Sequence, residues 1–236
     1  MFDTIAFDAD DTLWHNEVIF QDTQKLFYQM LQPYADEETI HQNLSKVEMS
    51  NVRLFGYGIT GFTLSMIETA LEISAGQIPQ TKIQYIIDCG KQMLEAPLEL
   101  LPDVKSTLEQ LVDSYNLMLI SKGDLMHQMN KVELSGLADL FSIIEIVAEK
   151  NKYTYQKIVH KHKLTASSLL MVGNSMKSDI LPILEIGGSA VYIPYHVTSH
   201  VEMIAHENTP SDRFWELESL KDLPQLLSKI TQVASY

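Results

Sequence analysis

Three carboxylates within four positions follow an apolar run close to the N-terminus. Asp8, Asp10 and Asp11 come directly after residues 4–7, Thr-Ile-Ala-Phe. Such a run predicts a buried parallel strand, and open α/β sheets hold their ligands at the carboxyl ends of these strands. Because carboxylates at this density repel one another, a folded chain keeps them together when a cation, usually a metal ion, joins them. The stretch therefore predicts a cation-dependent site at the end of the first strand.

Polar side chains also follow three later apolar runs. They are Ser121 after residues 117–120, Lys150 after residues 143–147, and Gly173, Asn174 and Ser175 after residues 169–172. Since the carboxyl ends of parallel strands meet at one edge of a sheet, we expect these groups to converge on the acids. An ammonium group and a hydroxyl suit the oxygens of a phosphoryl group, and carboxylates suit Mg²⁺. Together they predict metal-assisted phosphoryl transfer.

Helices and strands alternate from Pro102 onward, which is the pattern of a parallel sheet with right-handed crossovers. Asp179 is expected to begin the helix after the run 169–172. The last strand is expected at residues 190–193, and a final helix at residues 220–230. The predicted fold class is therefore α/β, a doubly wound parallel sheet similar to a Rossmann core.

The block from about residue 15 to residue 97 has a helical pattern and no convincing strand. Its apolar periodicity predicts four amphipathic helices, which suggest a small bundle inserted into the core. The expected domains are an α/β core of residues 1–14 plus 98–236 and a helical domain of residues 15–97. Residues 56–61 match the letters of the GxGxxG dinucleotide motif, but no apolar strand precedes them. We interpret them as a flexible loop between helices.

The composition of the chain indicates which binding partners and which cellular compartment to expect. The chain has 236 residues, 45% of them hydrophobic, and a net charge of −14, which disfavours nucleic acid and anionic membranes. The single cysteine, Cys89, excludes an internal disulfide, and we interpret it as a small apolar helix residue. The N-terminus lacks the pattern of a signal peptide, so a cytoplasmic protein is expected. We expect a monomer or a homodimer.

The four groups of polar residues, in their order and spacing, resemble the motifs of the haloacid dehalogenase-like (HAD) superfamily. Residues 8–12 resemble the first motif, Ser121 the second, Lys150 the third, and residues 173–179 the fourth. The resemblance implies that the helical block is the cap domain that many members insert after the first motif. It also implies that Asp8 is a nucleophile that forms an aspartyl phosphate. Asp10 would then protonate the leaving oxygen and later deprotonate the attacking water.

The resemblance assigns the other residues to substrate and metal. Ser121, Lys150 and the amide of Lys122 would hold the transferring oxygens, and Thr12 would orient the loop. Lys152 also follows the third run, but Lys150 is nearer to its end and the better match, so Lys152 is expected on the surface. Asp11 is interpreted as a loop residue without direct chemistry.

The implied cofactor is Mg²⁺, held by Asp8, Asp10 and the fourth motif. Members of the superfamily commonly have an acid after the glycine of that motif, whereas this chain has Asn174. Either Asn174 or Asp179 could be the direct ligand. The other residue would then contact the ligands of the metal rather than the metal itself. An uncharged ligand would weaken the metal site.

The expected function is hydrolysis of a small phosphomonoester, a sugar phosphate or a nucleotide. Dehalogenases of the superfamily lack an acid at the position of Asp10, which favours a phosphatase. The alternative is a HAD-like binding or regulatory protein without turnover, an idea motivated by Asn174. A phospho-accepting receiver domain is disfavoured, because receivers are about half this length and have no cap.

Other polar residues have weaker claims to a function. His196 and His200 have the spacing of a helical metal pair, but Pro194 indicates a loop, and we interpret them as structural or solvated. Trp14 and His15 follow the first motif and are candidates for substrate contact, although packing is the favoured role for Trp14.

Overall fold

The computed structural model describes residues 2–197 and 212–233. It divides into two compact units, Met1–His15 with Leu98–Tyr236, and Asn16–Pro97. No helix in the described ranges is long and apolar enough to cross a membrane.

The first unit is built on a parallel sheet of six strands within the described residues. The strands are β1 Thr4–Phe7, β2 Asn116–Lys122, β3 Ile143–Val147, β4 Leu169–Gly173, β5 Ser189–Tyr192 and β6 Phe214–Glu216. Their order across the sheet is β3-β2-β1-β4-β5-β6, the doubly wound arrangement, with the reversal between β1 and β4. The predicted fold class is confirmed.

Helices cover both faces of this sheet. They are α5 Val104–Leu111, α6 Leu125–Leu134, α7 Lys152–Lys161, α8 Leu181–Glu185 and α9 Leu223–Val233. Side chains alternate along each strand, so Ile5 and Phe7 pack in one core with α5 and α9. Ala6 packs in the other core with α7 and α8. All four residues of β1 are buried, as expected for a central strand of a parallel sheet.

Three details of the core differ from the sequence predictions. Ser121 and Lys122 belong to β2 rather than following it, because they continue the ladder with β3. Asp179 does not begin a helix but lies within a π-helical turn, Met176–Ile180, where the Ile180 amide donates to the Ser175 carbonyl. The strand at β5 is not the last, because the three-residue β6 pairs with its outer edge.

The second unit, residues 16–97, contains four α-helices, all within the described part of the chain. They are α1 Glu17–Leu31, α2 Glu37–Phe55, α3 Ile59–Ile73 and α4 Gln80–Leu94. Their apolar faces share one core, and Cys89 is buried on α4, as predicted. Asp36 caps α2 by accepting a hydrogen bond from the Thr39 amide at 2.8 Å. The predicted glycine loop is shorter than expected, because Ile59 to Gly61 already form the first turn of α3.

The partly buried carboxyl group of Glu48 on α2 makes the stability of the folded protein depend on pH. Burial raises the pKa of Glu48 from its ordinary value of 4.5 to about 7. Below the ordinary value, both folded and unfolded states are protonated, so the carboxyl makes no pH-dependent contribution to stability. As the pH rises toward 7, the unfolded state releases the proton first, so stability falls.

We predict that Glu48→Gln stabilises the protein at pH 8 by about 1–2 kcal/mol, because it removes a partly buried charge, and changes stability little at pH 4.5. The measurement is thermal unfolding at both pH values. Glu72→Gln, which neutralises an exposed acid on α3, is the matched control. An equal effect of Glu48→Gln at both pH values would contradict the prediction.

Candidate active site

The ends of two adjacent strands form the centre of the candidate site. Asp8 follows β1 and Asn174 follows β4, the neighbouring strands at which the strand order reverses. Open α/β sheets form a crevice at this point, because the connections leave toward opposite faces. The Asp8 amide donates to the carbonyl of Val172 at 2.9 Å, which continues the β1–β4 ladder up to the nucleophile candidate.

Asp8 is 7% exposed and has a partner on each carboxylate oxygen. The Lys150 ammonium group donates to Oδ1, and the Thr12 hydroxyl donates to Oδ2 at 3.0 Å. Burial and the nearby charge of Asp179 raise the pKa of Asp8 to about 7, and the attraction of Lys150 only partly opposes them. The pocket around Asp8 therefore favours additional positive charge.

Lys150 joins Asp8 to Asp179. Its Nζ atom also donates to Asp179 Oδ1 at 2.7 Å, and the lysine is 3% exposed. Burial alone would lower the pKa of Lys150, but Asp179 and Asp8 outweigh it and keep the ammonium group charged. Lys152, by contrast, lies on the exposed first turn of α7, as predicted.

The π-helical turn brings Asp179 back beneath the end of β4. Asp179 is fully buried, and its Oδ2 accepts from the Ser175 amide at 3.0 Å. A Cβ atom placed on Gly173 would lie 2.3 Å from Asp179 Oδ2. Gly173 is therefore required by the close approach of this carboxylate, and its backbone is not in the left-handed region.

Asn174 reaches the same hydroxyl as Asp8. The Oδ1 atom of Asn174 lies 3.3 Å from Thr12 Oγ1, so the amide oxygen and the Asp8 carboxylate face one common group. Oxygen donors of this kind fit a hard divalent cation, and an added cation would also offset the excess negative charge around Asp8. No group of three or more His, Cys, Asp or Glu side chains arranged for a metal occurs in residues 2–197 and 212–233. The ligand set implied by the resemblance differs, since it includes the side-chain amide of Asn174 and the backbone carbonyl of Asp10.

Asp10 has a separate set of partners. Its Oδ1 accepts from Trp14 Nε1 and from Lys131 Nζ, both at 2.6 Å, and its Oδ2 accepts from Gln128 Nε2 at 3.0 Å. Burial would raise the pKa of Asp10, but the charge and hydrogen bond of Lys131, with those of Gln128 and Trp14, lower it. The two acids of the loop are thus held in different environments.

The side chain of Gln128 donates hydrogen bonds to both Ser121 and Asp10. Ser121 is 1% exposed, and its Oγ accepts from Gln128 Nε2 at 2.8 Å. The same nitrogen lies 3.0 Å from the carbonyl of Lys122. The Lys122 ammonium group points elsewhere, donating to Ser178 Oγ at 3.0 Å.

Gln128 and Lys131 are site residues that sequence reasoning missed. Polar side chains on a helix normally face solvent, so nothing marks them individually. The available signal is their i, i+3 spacing on the helix directly after Ser121, which places both on one face. Trp14 packs in the core, as favoured, but its indole N–H also contacts Asp10.

The histidine candidates are only partly described. His15 Nδ1 lies 2.5 Å from the Tyr195 hydroxyl, and the rings of Tyr195 and His196 are 4.2 Å apart. His200 lies outside the described residues. The interpretation of His196 and His200 as structural or solvated therefore stays a prediction.

Comparison with known proteins agrees with this site. Residues 2–187 match the family model of haloacid dehalogenase-like hydrolases. A pyrimidine 5′-nucleotidase of Escherichia coli is 26% identical across 97% of this chain and 99% of its own length. The structure of a haloacid dehalogenase-like family hydrolase from Xanthomonas campestris is 36% identical, with a TM-score of 0.88 over 99% of this chain and 94% of that one.

A more distant structure shares the fold alone. The L-2-haloacid dehalogenase of Xanthobacter autotrophicus is 17% identical, with a TM-score of 0.65 over 97% of this chain and 99% of that one. The family match covers most of the chain, including each of the four strand ends that form the site. The chain therefore belongs to the haloacid dehalogenase-like hydrolase family.

Proposed function

We propose that the protein is a Mg²⁺-dependent phosphomonoester hydrolase that acts on a small phosphorylated metabolite, a sugar phosphate or a nucleotide. The observation that carries the proposal is that Asp8 and Asp10 lie on one loop at the carboxyl edge of the sheet, each with a separate set of partners. One acid can attack while the other transfers a proton. The nucleotidase and a phosphoglycolate phosphatase of Aliivibrio fischeri, 37% identical over 41% of this chain, support phosphate ester chemistry.

The reaction would proceed in two displacements at phosphorus. In the first, a bond forms between an Asp8 carboxylate oxygen and phosphorus, the ester P–O bond breaks, and Asp10 gives its proton to the leaving oxygen. This step requires that Asp10 be protonated in the substrate complex, although Lys131 lowers its pKa in the free protein. In the second, water attacks phosphorus, the bond to Asp8 breaks, and the water proton passes to Asp10. Splitting the displacement in this way replaces one difficult step with two easier ones.

Three further residues would hold the transferring group. Ser121 and the Lys122 amide lie at the end of β2, so both could donate hydrogen bonds to phosphoryl oxygens. Lys150 lies beside Asp8, where its ammonium group would offset the negative charge of those oxygens. Thr12 fixes the Asp8 carboxylate through its hydroxyl. The helical unit, residues 16–97, would act as the substrate-selecting cap that the family resemblance implies.

The metal would be held by the Asp8 carboxylate, the Asp10 carbonyl and Asn174. Asn174 is preferred over Asp179 as the direct ligand, because both Asp179 oxygens already accept hydrogen bonds from Lys150 and the Ser175 amide. When bound, Mg²⁺ supplies positive charge that stabilises the transferring phosphoryl group. Asp179 would act indirectly, by fixing Lys150.

We predict that Asp8→Asn abolishes hydrolysis of p-nitrophenyl phosphate, because an amide cannot form the acyl phosphate. Asp11→Asn is the matched control: Asp11 has a positive φ of 63°, which asparagine tolerates, and it has no proposed chemistry. This control should retain most of the activity. Full activity of Asp8→Asn with an intact fold would exclude the proposed nucleophile.

We predict that Asn174→Asp tightens Mg²⁺ binding by about tenfold, since a charged oxygen replaces a neutral one. Calorimetric titration with Mg²⁺ measures this without substrate. Asn174→Ala should weaken binding, whereas Asp179→Asn should mainly lower the melting temperature by disturbing the buried pair with Lys150. If Asp179→Asn abolishes binding and Asn174→Ala leaves it unchanged, Asp179 is the direct ligand.

Turnover of a metabolite panel separates this proposal from a binding protein without catalysis. The observation that favours a binding protein is Asn174, which is uncharged where the superfamily commonly has an acid. Wild-type protein that hydrolyses no phosphate ester at any Mg²⁺ concentration, yet binds one of them, would favour the binding function.

A further inference from the structure

Three rings that the proposed chemistry does not use form a cluster in the first unit. They belong to His15, Tyr195 and His196. The ring centroids of His15 and Tyr195 are 5.8 Å apart, with an interplanar angle of 56°. The ring of His196 packs against Tyr195 at 4.2 Å. Tyr195 therefore contacts both imidazole rings.

His15 lies at the end of the loop that carries both site acids. The preceding residue, Trp14, donates to Asp10 through its indole N–H at 2.6 Å, and its carbonyl accepts from the Asp11 amide at 2.7 Å. These contacts fold the loop back on itself, so His15 follows on the side of the site where Asp10 lies. Because Asp10 is the residue proposed to face the leaving oxygen, a group attached to that oxygen would extend toward this side.

Tyr195 lies on the connection that follows β5. The Ile193 amide donates to the Gly173 carbonyl at 3.0 Å, which holds this connection beside the end of β4. Tyr195 is two residues further on, and its hydroxyl lies 2.5 Å from His15 Nδ1. This contact joins the end of the first-motif loop to a connection beside the fourth motif. The ring cluster thus lies at the edge of the sheet that forms the site.

Ring surface in this cluster is open to solvent. His15 and Tyr195 are half-buried, and His196 is exposed. Aromatic rings with a polar group and an accessible face can stack on a planar ligand. A nucleobase offers such a planar face, because every base has a π system, whereas a sugar alone has none.

We propose that His15 and Tyr195 form a binding surface for the base of a nucleoside 5′-monophosphate, which makes a nucleotide rather than a sugar phosphate the substrate class. This inference rests on the proposed phosphatase function and chooses between its two substrate classes. The base would stack on the Tyr195 ring, and the ribose would span from there to the leaving oxygen. His196 would support the orientation of Tyr195 by packing against it.

Two esters that share the ribose and the 5′ phosphate test the proposal. Uridine 5′-monophosphate carries a base, and ribose 5-phosphate does not. Wild-type protein should have a kcat/KM about tenfold higher for the nucleotide, since stacking a base on an aromatic side chain strengthens binding by at least about this factor. The difference should lie mainly in KM, because the base is remote from the reacting bond.

Substitutions at Tyr195 separate the ring from the hydroxyl. Tyr195→Leu removes the ring and should lower kcat/KM for the nucleotide about tenfold, while that for ribose 5-phosphate stays within about twofold of wild type. Tyr195→Phe keeps the ring but loses the hydroxyl next to His15, so it should keep the preference for the nucleotide within about threefold. His15→Leu should reduce the preference in the same direction as Tyr195→Leu.

Tyr153→Leu is the matched control. It removes a tyrosine ring that is 64% exposed on α7 and should leave kcat/KM for both esters unchanged. Thermal unfolding of each variant reports whether the fold is intact. If Tyr195→Leu does not fold, the wild-type preference and His15→Leu decide the outcome.

A structural role of the cluster predicts a different result. If Tyr195→Leu lowers kcat/KM for both esters equally, or for neither, the base-binding surface is overturned. It is also overturned if Tyr195→Phe, folded normally, loses as much of the preference as Tyr195→Leu. An active wild type that hydrolyses ribose 5-phosphate as well as the nucleotide overturns the surface and leaves the phosphatase proposal standing.

Binding without turnover separates this inference from the proposed function. Calorimetric titration of Asp8→Asn, which cannot form the acyl phosphate, should show about tenfold tighter binding of uridine 5′-monophosphate than of ribose 5-phosphate with Mg²⁺ present. Adding Tyr195→Leu should remove that difference. Wild-type protein that hydrolyses neither ester overturns the phosphatase proposal, and equal binding of the two esters overturns the base-binding surface.

Discussion

The buried ammonium group of Lys150, between the carboxylates of Asp8 and Asp179, is the interaction on which the site depends. Two carboxylates this deeply buried would repel each other and lose hydration, so without a shared cation the loop after β1 and the turn after β4 would separate. Lys150 follows β3, which is two strands away from β1 in the sheet. The strand order thus determines which loops can supply the cation.

A second cation, on Lys131, gives Asp10 an environment unlike that of Asp8. The pKa of Asp8 is raised by burial and by Asp179, whereas the pKa of Asp10 is lowered despite burial, chiefly by Lys131. Two acids separated by one residue are therefore ionised to different extents at the same pH. The difference between their pKa values comes mainly from contacts of Asp10 with α6, the helix after β2.

Much of this arrangement could be predicted from the sequence, and the exceptions have physical causes. Apolar runs that end at polar residues are local signals in the sequence. The strands β1 and β3, and the site residues that follow them, could therefore be predicted. The strand β6 was missed because three residues carry too little periodicity, and its pairing with β5 is a tertiary contact. The contacts of Gln128 were missed because they join helix to loop across 118 positions of sequence. The π-helical position of Asp179 depends on one backbone bond that no residue pattern encodes.

The close approach of Asp179 to Gly173 has a consequence for mutational surveys of this protein. Gly173 offers no side-chain donor, acceptor or charge, yet any side chain at this position would collide with the carboxylate that fixes Lys150. Deep mutational scanning would accordingly show position 173 to be as intolerant of substitution as Asp179, the residue it contacts. The loss of function on substitution of Gly173 would reflect a steric clash with Asp179. It would not show that Gly173 takes part in the reaction.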